Sequence, residues 1–150
     1  MAGLLFHANT PDISLTAATA KTVVQVIAAA NHRALLKGIE VSFKGVSATD
    51  TPVLVEWVKQ TTAGTMTSLT LDKHDPSYDE TLQTTAQHTA TSEPTTTALV
   101  RWSKRIHPQN SQLILFPPGF ELIIPGGERR GVLVTAVEAQ VVCVHLILEE

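Results

Sequence analysis

From Lys37 to Lys44 the chain alternates without a break. Ile39, Val41 and Phe43 fall on one side, and Glu40, Ser42 and Lys44 fall on the other. A period of two residues is the signature of a strand with one face in a core and one in water. The same reading recurs between turn signals along the chain. Strands are expected at Lys21–Ala28, Ala34–Lys44 and Val53–Gln60, with a short edge strand in 66–71. One solvent-facing strand is expected in the Thr-rich stretch 81–97, which Glu93-Pro94 interrupts. Further strands follow at 98–107, where Val100, Trp102 and Ile106 should share a side, and at 112–116 and 120–124. Segments 131–137 and 141–149 read as a closing hairpin. In 21–28 the flanking alanines favour a helix, but the β-branched middle, Thr22-Val23-Val24, favours a strand. The last strand is apolar on both faces, with Val142, Val144, Leu146 and Leu148 on one and Val141, Cys143, His145 and Ile147 on the other. It is therefore expected to be central or to lie at a subunit interface.

Nine or ten short strands separated by turns define an all-β, antiparallel two-sheet sandwich of jelly-roll type. Asn9-Thr10-Pro11-Asp12 is a turn signal. It divides the chain into an extended N-terminal arm, residues 1–12, and one sandwich domain, residues 13–150. A chain of 150 residues buries enough surface to fold without staples.

Composition narrows the function. The net charge is −3 and the basic residues are scattered, so nucleic acid is not an expected partner. Neither is a membrane, because no apolar run approaches the ~18 residues of a span. The first residues, Met1-Ala2-Gly3-Leu4-Leu5-Phe6-His7, lack the cationic start of a signal peptide, so synthesis in the cytoplasm is expected. Only 17% of residues are charged, below the usual quarter, which points to a surface partly covered in an assembly. Cys143, the only cysteine, lies in an apolar run where it packs as a small hydrophobe.

No catalytic constellation emerges. His7, His32, His74, His88, His107 and His145 are far apart, and no pair has the spacing that lets one strand or helix present two metal ligands. Asp72, His74, Asp75, Asp79 and Glu80 match no calcium loop and read as a solvated acidic loop. Gly126-Gly127-Glu128-Arg129-Arg130-Gly131 sits between strands and reads as a hairpin turn, not a phosphate loop. There is no Gly-x-Ser-x-Gly elbow. No metal, cofactor or catalytic residue is expected. Trp57 and Trp102 belong to alternating strands and read as core. Phe116-Pro117-Pro118-Gly119-Phe120 is the best candidate for an exposed contact loop.

Several stretches resemble a family of small structural proteins of tailed bacteriophages. They are Gly38-Ile-Glu-Val-Ser-Phe-Lys-Gly-Val-Ser-Ala-Thr49, Pro52-Val-Leu-Val-Glu-Trp57 with Gln60-Thr-Thr-Ala-Gly-Thr65, Ala86-Gln-His-Thr-Ala-Thr-Ser-Glu-Pro94, and Pro125-Gly-Gly127 with Gly131-Val-Leu-Val-Thr-Ala136. The resemblance implies a jelly-roll capsid decoration (cement) protein. Such a protein is a homotrimer that binds the major capsid protein on the outer surface of a phage head. On that reading Leu4, Leu5 and Phe6 of the arm, Phe116 and Phe120 of the loop, and Val141 and Ile147 of the last strand are the expected partner contacts. The alternative is a receptor- or glycan-binding jelly-roll module of a fibre or tail tip, which would use exposed aromatic residues.

Overall fold

The computed structural model describes residues 3–150. It contains thirteen strands and no helix among the described residues. In chain order these are β1 (Leu5–Asn9), β2 (Ile13–Leu15), β3 (Ala20–Ile27), β4 (Ala34–Phe43), β5 (Val53–Gln60), β6 (Thr65–Leu69), β7 (Asp72–Lys73), β8 (Thr85–Ser92), β9 (Thr96–Ile106), β10 (Ser111–Leu115), β11 (Leu122–Ile124), β12 (Arg129–Thr135) and β13 (Gln140–Glu149). The strand count exceeds the nine or ten expected, because β2 and β7 carry too few residues to show a period and β1 lies in the segment expected to be an arm.

The strands form two antiparallel sheets. One runs β10-β4-β13-β1-β7, with β11 extending the β10 edge of β4 and β2 extending β1 along β13. The other runs β6-β8-β3-β12-β5-β9. Setting aside the β6–β8 excursion between β5 and β9, the orders β1-β13-β4-β10 and β3-β12-β5-β9 are those of a jelly roll, in which successive strands alternate between sheets except at the paired β5 and β9. The expected sandwich is therefore the one observed.

Alternation explains why the core lies between the sheets. Ile39 and Val41 of β4, Val142, Val144, Leu146 and Leu148 of β13, and Val53, Val55 and Trp57 of β5 are fully buried. Trp57 is therefore core, as expected. Trp102, its cross-strand partner, packs partly buried against that core.

Four expectations need correction. First, residues 1–12 are not an extended arm. Beyond Met1 and Ala2, which lie outside the described residues, the segment supplies β1, and Phe6 and Ala8 are fully buried. β1 pairs with β13 along its length, with Phe6 opposite Leu148. Burying Phe6 and Ala8 outweighs the chain entropy a free arm would keep. The turn at Thr10–Asp12 only bends the strand before β2 resumes the pairing. Second, β12 and β13 are not a hairpin, because β12 pairs with β3 and β5 while β13 pairs with β1, β2 and β4. The chain crosses between sheets at 136–139. Third, the Gly126–Gly131 segment likewise joins strands of different sheets, with Gly127 at φ 75° in the turn. Fourth, Val100 does not share a side with Trp102. Trp102 opposes Trp57 but Val100 opposes Val58, so Arg101 is an extra residue in a β-bulge. Val100 is thereby turned outward and is 42% exposed.

Candidate functional site

The outer face of the seven-stranded sheet carries the two features most able to act on something outside the chain. The first is apolar. Leu113 and Leu115 of β10 stand opposite Glu40 and Gly38 of β4, and Ile123 of β11 stands opposite Leu35. Leu113, Leu115 and Ile123 are 52%, 61% and 50% exposed. Gly38 is needed because Leu115 and Ile147 close over it: a Cβ there would meet Leu115 Cδ2 at 2.8 Å and Ile147 Cδ1 at 3.4 Å. Leu115, Ile147 and their neighbours thus form one surface rather than scattered side chains. Leu99 and Val100, on β9 of the other sheet, are also exposed.

Phe120, in the turn between β10 and β11, is 73% exposed, and that turn is held firmly. Gly119 adopts φ 88° with open space around it. The Phe120 N–H donates to Pro117 O at 2.9 Å, and the Gly119 N–H donates to Glu121 Oε2 at 2.6 Å. Lys37 Nζ then ties Glu121 Oε1, at 2.9 Å, to Glu149 Oε2, at 2.7 Å. Lys37 reaches both because a bulge in β4 leaves it without a partner on β13. The hydrogen bonds Lys37 donates to Glu149 and then to Glu121 raise its pKa above the ordinary value, and the bond from Lys37 lowers that of Glu121.

The expected contact residues divide. Phe120 is exposed, and Phe116 packs partly buried against the core. Val141 and Ile147 are half-buried on the outer face of β13. Leu4 and Leu5 are half-buried, with Leu4 in an open groove beside Gly3, His32 and Tyr78. Phe6 is fully buried and touches no outside partner. Leu113, Leu115 and Ile123 were missed by sequence reasoning. The available signal was the unbroken apolar run Leu113–Phe116, which leaves apolar side chains on both faces of a short strand.

The second feature is a row of imidazoles across adjacent strands. Glu40 of β4 lies opposite His145 of β13, and its Oε2 is 3.5 Å from His145 Nδ1. His145 Nε2 is 2.9 Å from His7 Nδ1, and His7 Nε2 is 2.9 Å from His74 Nδ1. Asp72 pairs with His7 across β1 and β7. Three histidines from the start, middle and end of the chain are thus collected by strand register alone. Ring centroids 5.1 and 5.2 Å apart at these contacts mean that the rings meet end to end rather than stacked. A head-on contact of 2.9 Å has room for a proton but not for a divalent cation, which needs about 2.0–2.1 Å to each nitrogen. Among the described residues no three His, Cys, Asp or Glu side chains converge on one point. Burial, and then the neighbouring His145 and His74, hold the His7 pKa below its ordinary value, with Asp72 opposing them.

No family model, curated protein or solved structure matches the chain.

Proposed function

We propose that the chain is a non-catalytic structural component of a virion: a decoration protein that assembles as a homotrimer on the outer surface of a phage head and stabilises it. The observation that carries this reading is the apolar patch at the β10–β11 edge of the seven-stranded sheet, where Leu113, Leu115 and Ile123, with Phe120 in the turn between the two strands, are each at least half exposed. Contiguous exposed apolar surface on a rigid framework marks a protein interaction site. The resemblance of Gly38–Thr49, Pro52–Trp57 with Gln60–Thr65, Ala86–Pro94, and Pro125–Gly127 with Gly131–Ala136 to phage structural proteins suggests the kind of partner. Cement function needs no chemistry. It needs a stiff body that touches several capsid subunits at once, so that modest contacts add through effective concentration. A jelly roll with its core sealed between two sheets is such a body.

The test is co-sedimentation of the purified chain with heads made without it. The expected result is saturable binding and raised head stability to heat. Saturable binding to a glycan or host receptor, with none to heads, overturns the reading in favour of a receptor-binding module.

A further inference from the structure

We infer that the His145–His7–His74 row is a proton-responsive latch that holds β7 on the open edge of the seven-stranded sheet. The inference does not rest on the proposed assembly role. It follows from counting protons in the row. Three imidazoles offer six nitrogens, four of which face one another in the two 2.9 Å contacts. Each contact holds one proton, because two N–H groups cannot point at each other at that distance. The remaining places are the two ends, His145 Nδ1 toward Glu40 and the outer Nε2 of His74. The neutral row needs three protons and the singly charged row four, and both fit. A fifth proton has no place, so the doubly charged row must break a contact.

The contact that breaks is set by the strands beneath it. His145 and His7 sit on β13 and β1, which pair over five residues. His74 follows β7, a two-residue strand held by the pairs Phe6–Lys73 and His7–Asp72 and by the His74 N–H donating to Leu5 O at 2.9 Å. The His7–His74 contact is also the exposed one. The carboxylates facing the row are Glu40 from β4, Asp72 from β7 and Asp75 just beyond β7, whose own pKa is lowered chiefly by hydrogen bonds from Ser77 and least by the neighbouring His74. Asp72 favours a proton on His7, but none of the three makes room for the fifth. Asn9, opposite His145, is neutral. Acidification therefore frees β7 and the segment after it, and uncovers the backbone edge of β1 while the sandwich stays folded. An uncovered edge is a template for pairing with another strand.

The test is amide hydrogen exchange on the full chain from pH 7.5 to 5.0, corrected for intrinsic rates. Protection at the His74 amide and across 72–84 should fall about tenfold per pH unit below the row's second protonation, with β3, β12 and β13 still protected. His74→Gln, at an exposed position, keeps a hydrogen-bonding side chain but cannot titrate, and should abolish the pH dependence. Unchanged protection down to pH 5.0, the same loss in His74→Gln, or simultaneous loss across the whole sandwich each overturns the latch.

Discussion

The side chain of Gln60 fills the space that a methyl group on Gly131 would occupy: a Cβ there would lie 2.3 Å from Gln60 Oε1. A free amide would swing aside at little cost. This one is buried, accepting from Gln25 Nε2 at 2.7 Å and donating to Thr22 Oγ1 at 2.9 Å. Gln25 Nε2 also donates to Thr62 O at 3.0 Å. Gly131→Ala is expected to break this network and cost about 1–3 kcal/mol, the penalty for buried polar groups that lose partners. Urea unfolding of a double-mutant cycle checks the cause, since Gly131→Ala should cost much less in a Gln60→Ala background.

Phe6 separates an interior strand from a dispensable arm. Phe6→Ala should lower stability by about 3–5 kcal/mol, as for a fully buried aromatic residue. Removing residues 2–9 should prevent folding, because β13 would lose the partner along its β1 side. Circular dichroism and urea titration read both. A truncated chain as stable as the full one would mean that the segment is not part of the sheet.

Stability should fall with acid in two stages. The native His7 pKa lies below its ordinary value of 6.5, so the unfolded chain binds more protons there. That contribution is complete above about pH 6.5 and is lost as pH falls through the native value. Glu121 and Glu128 are lowered from 4.5, each chiefly by a lysine hydrogen bond, from Lys37 and Lys59 respectively. Their contribution is present above about pH 4.5 and is lost below it. Melting temperature against pH should show the upper step and only a small lower one, since these ion pairs are partly exposed, and His7→Gln should remove the upper step alone.

Lys37 fastens the Phe120 turn to the sheet. Lys37→Met leaves Glu121 and Glu149 without their shared cation. Faster amide exchange across 116–121 is expected, with little change in global stability, because partly exposed ion pairs contribute little to it.

Where one face is wet and one buried, the sequence is readable at the level of single residues. β4 and β5 fall almost where alternation puts them, and the two-sheet class follows from the spacing of turns. What is not readable depends on pairing between distant strands. The 12–13 connection looks like a hairpin because both flanking strands are apolar, and only the sheet order separates β12 from β13. The bulge at Arg101 inverts the expected side of Val100, because a one-residue register shift leaves no local trace. The imidazole row was invisible for the same reason. Its members, at positions 7, 74 and 145, share no motif and meet only because β7, β1 and β13 are neighbours.

The measurement that bears most directly on the assembly reading is solution mass by light scattering after size exclusion, at neutral pH and tens of micromolar chain. A mass three times the 16.1 kDa of one chain is predicted. A variant with Leu115→Asp and Ile123→Asp, both at exposed positions, should be folded and run as a single chain. A wild-type chain that stays monomeric, or a double variant that remains a trimer, would contradict assembly through the outer face of the seven-stranded sheet.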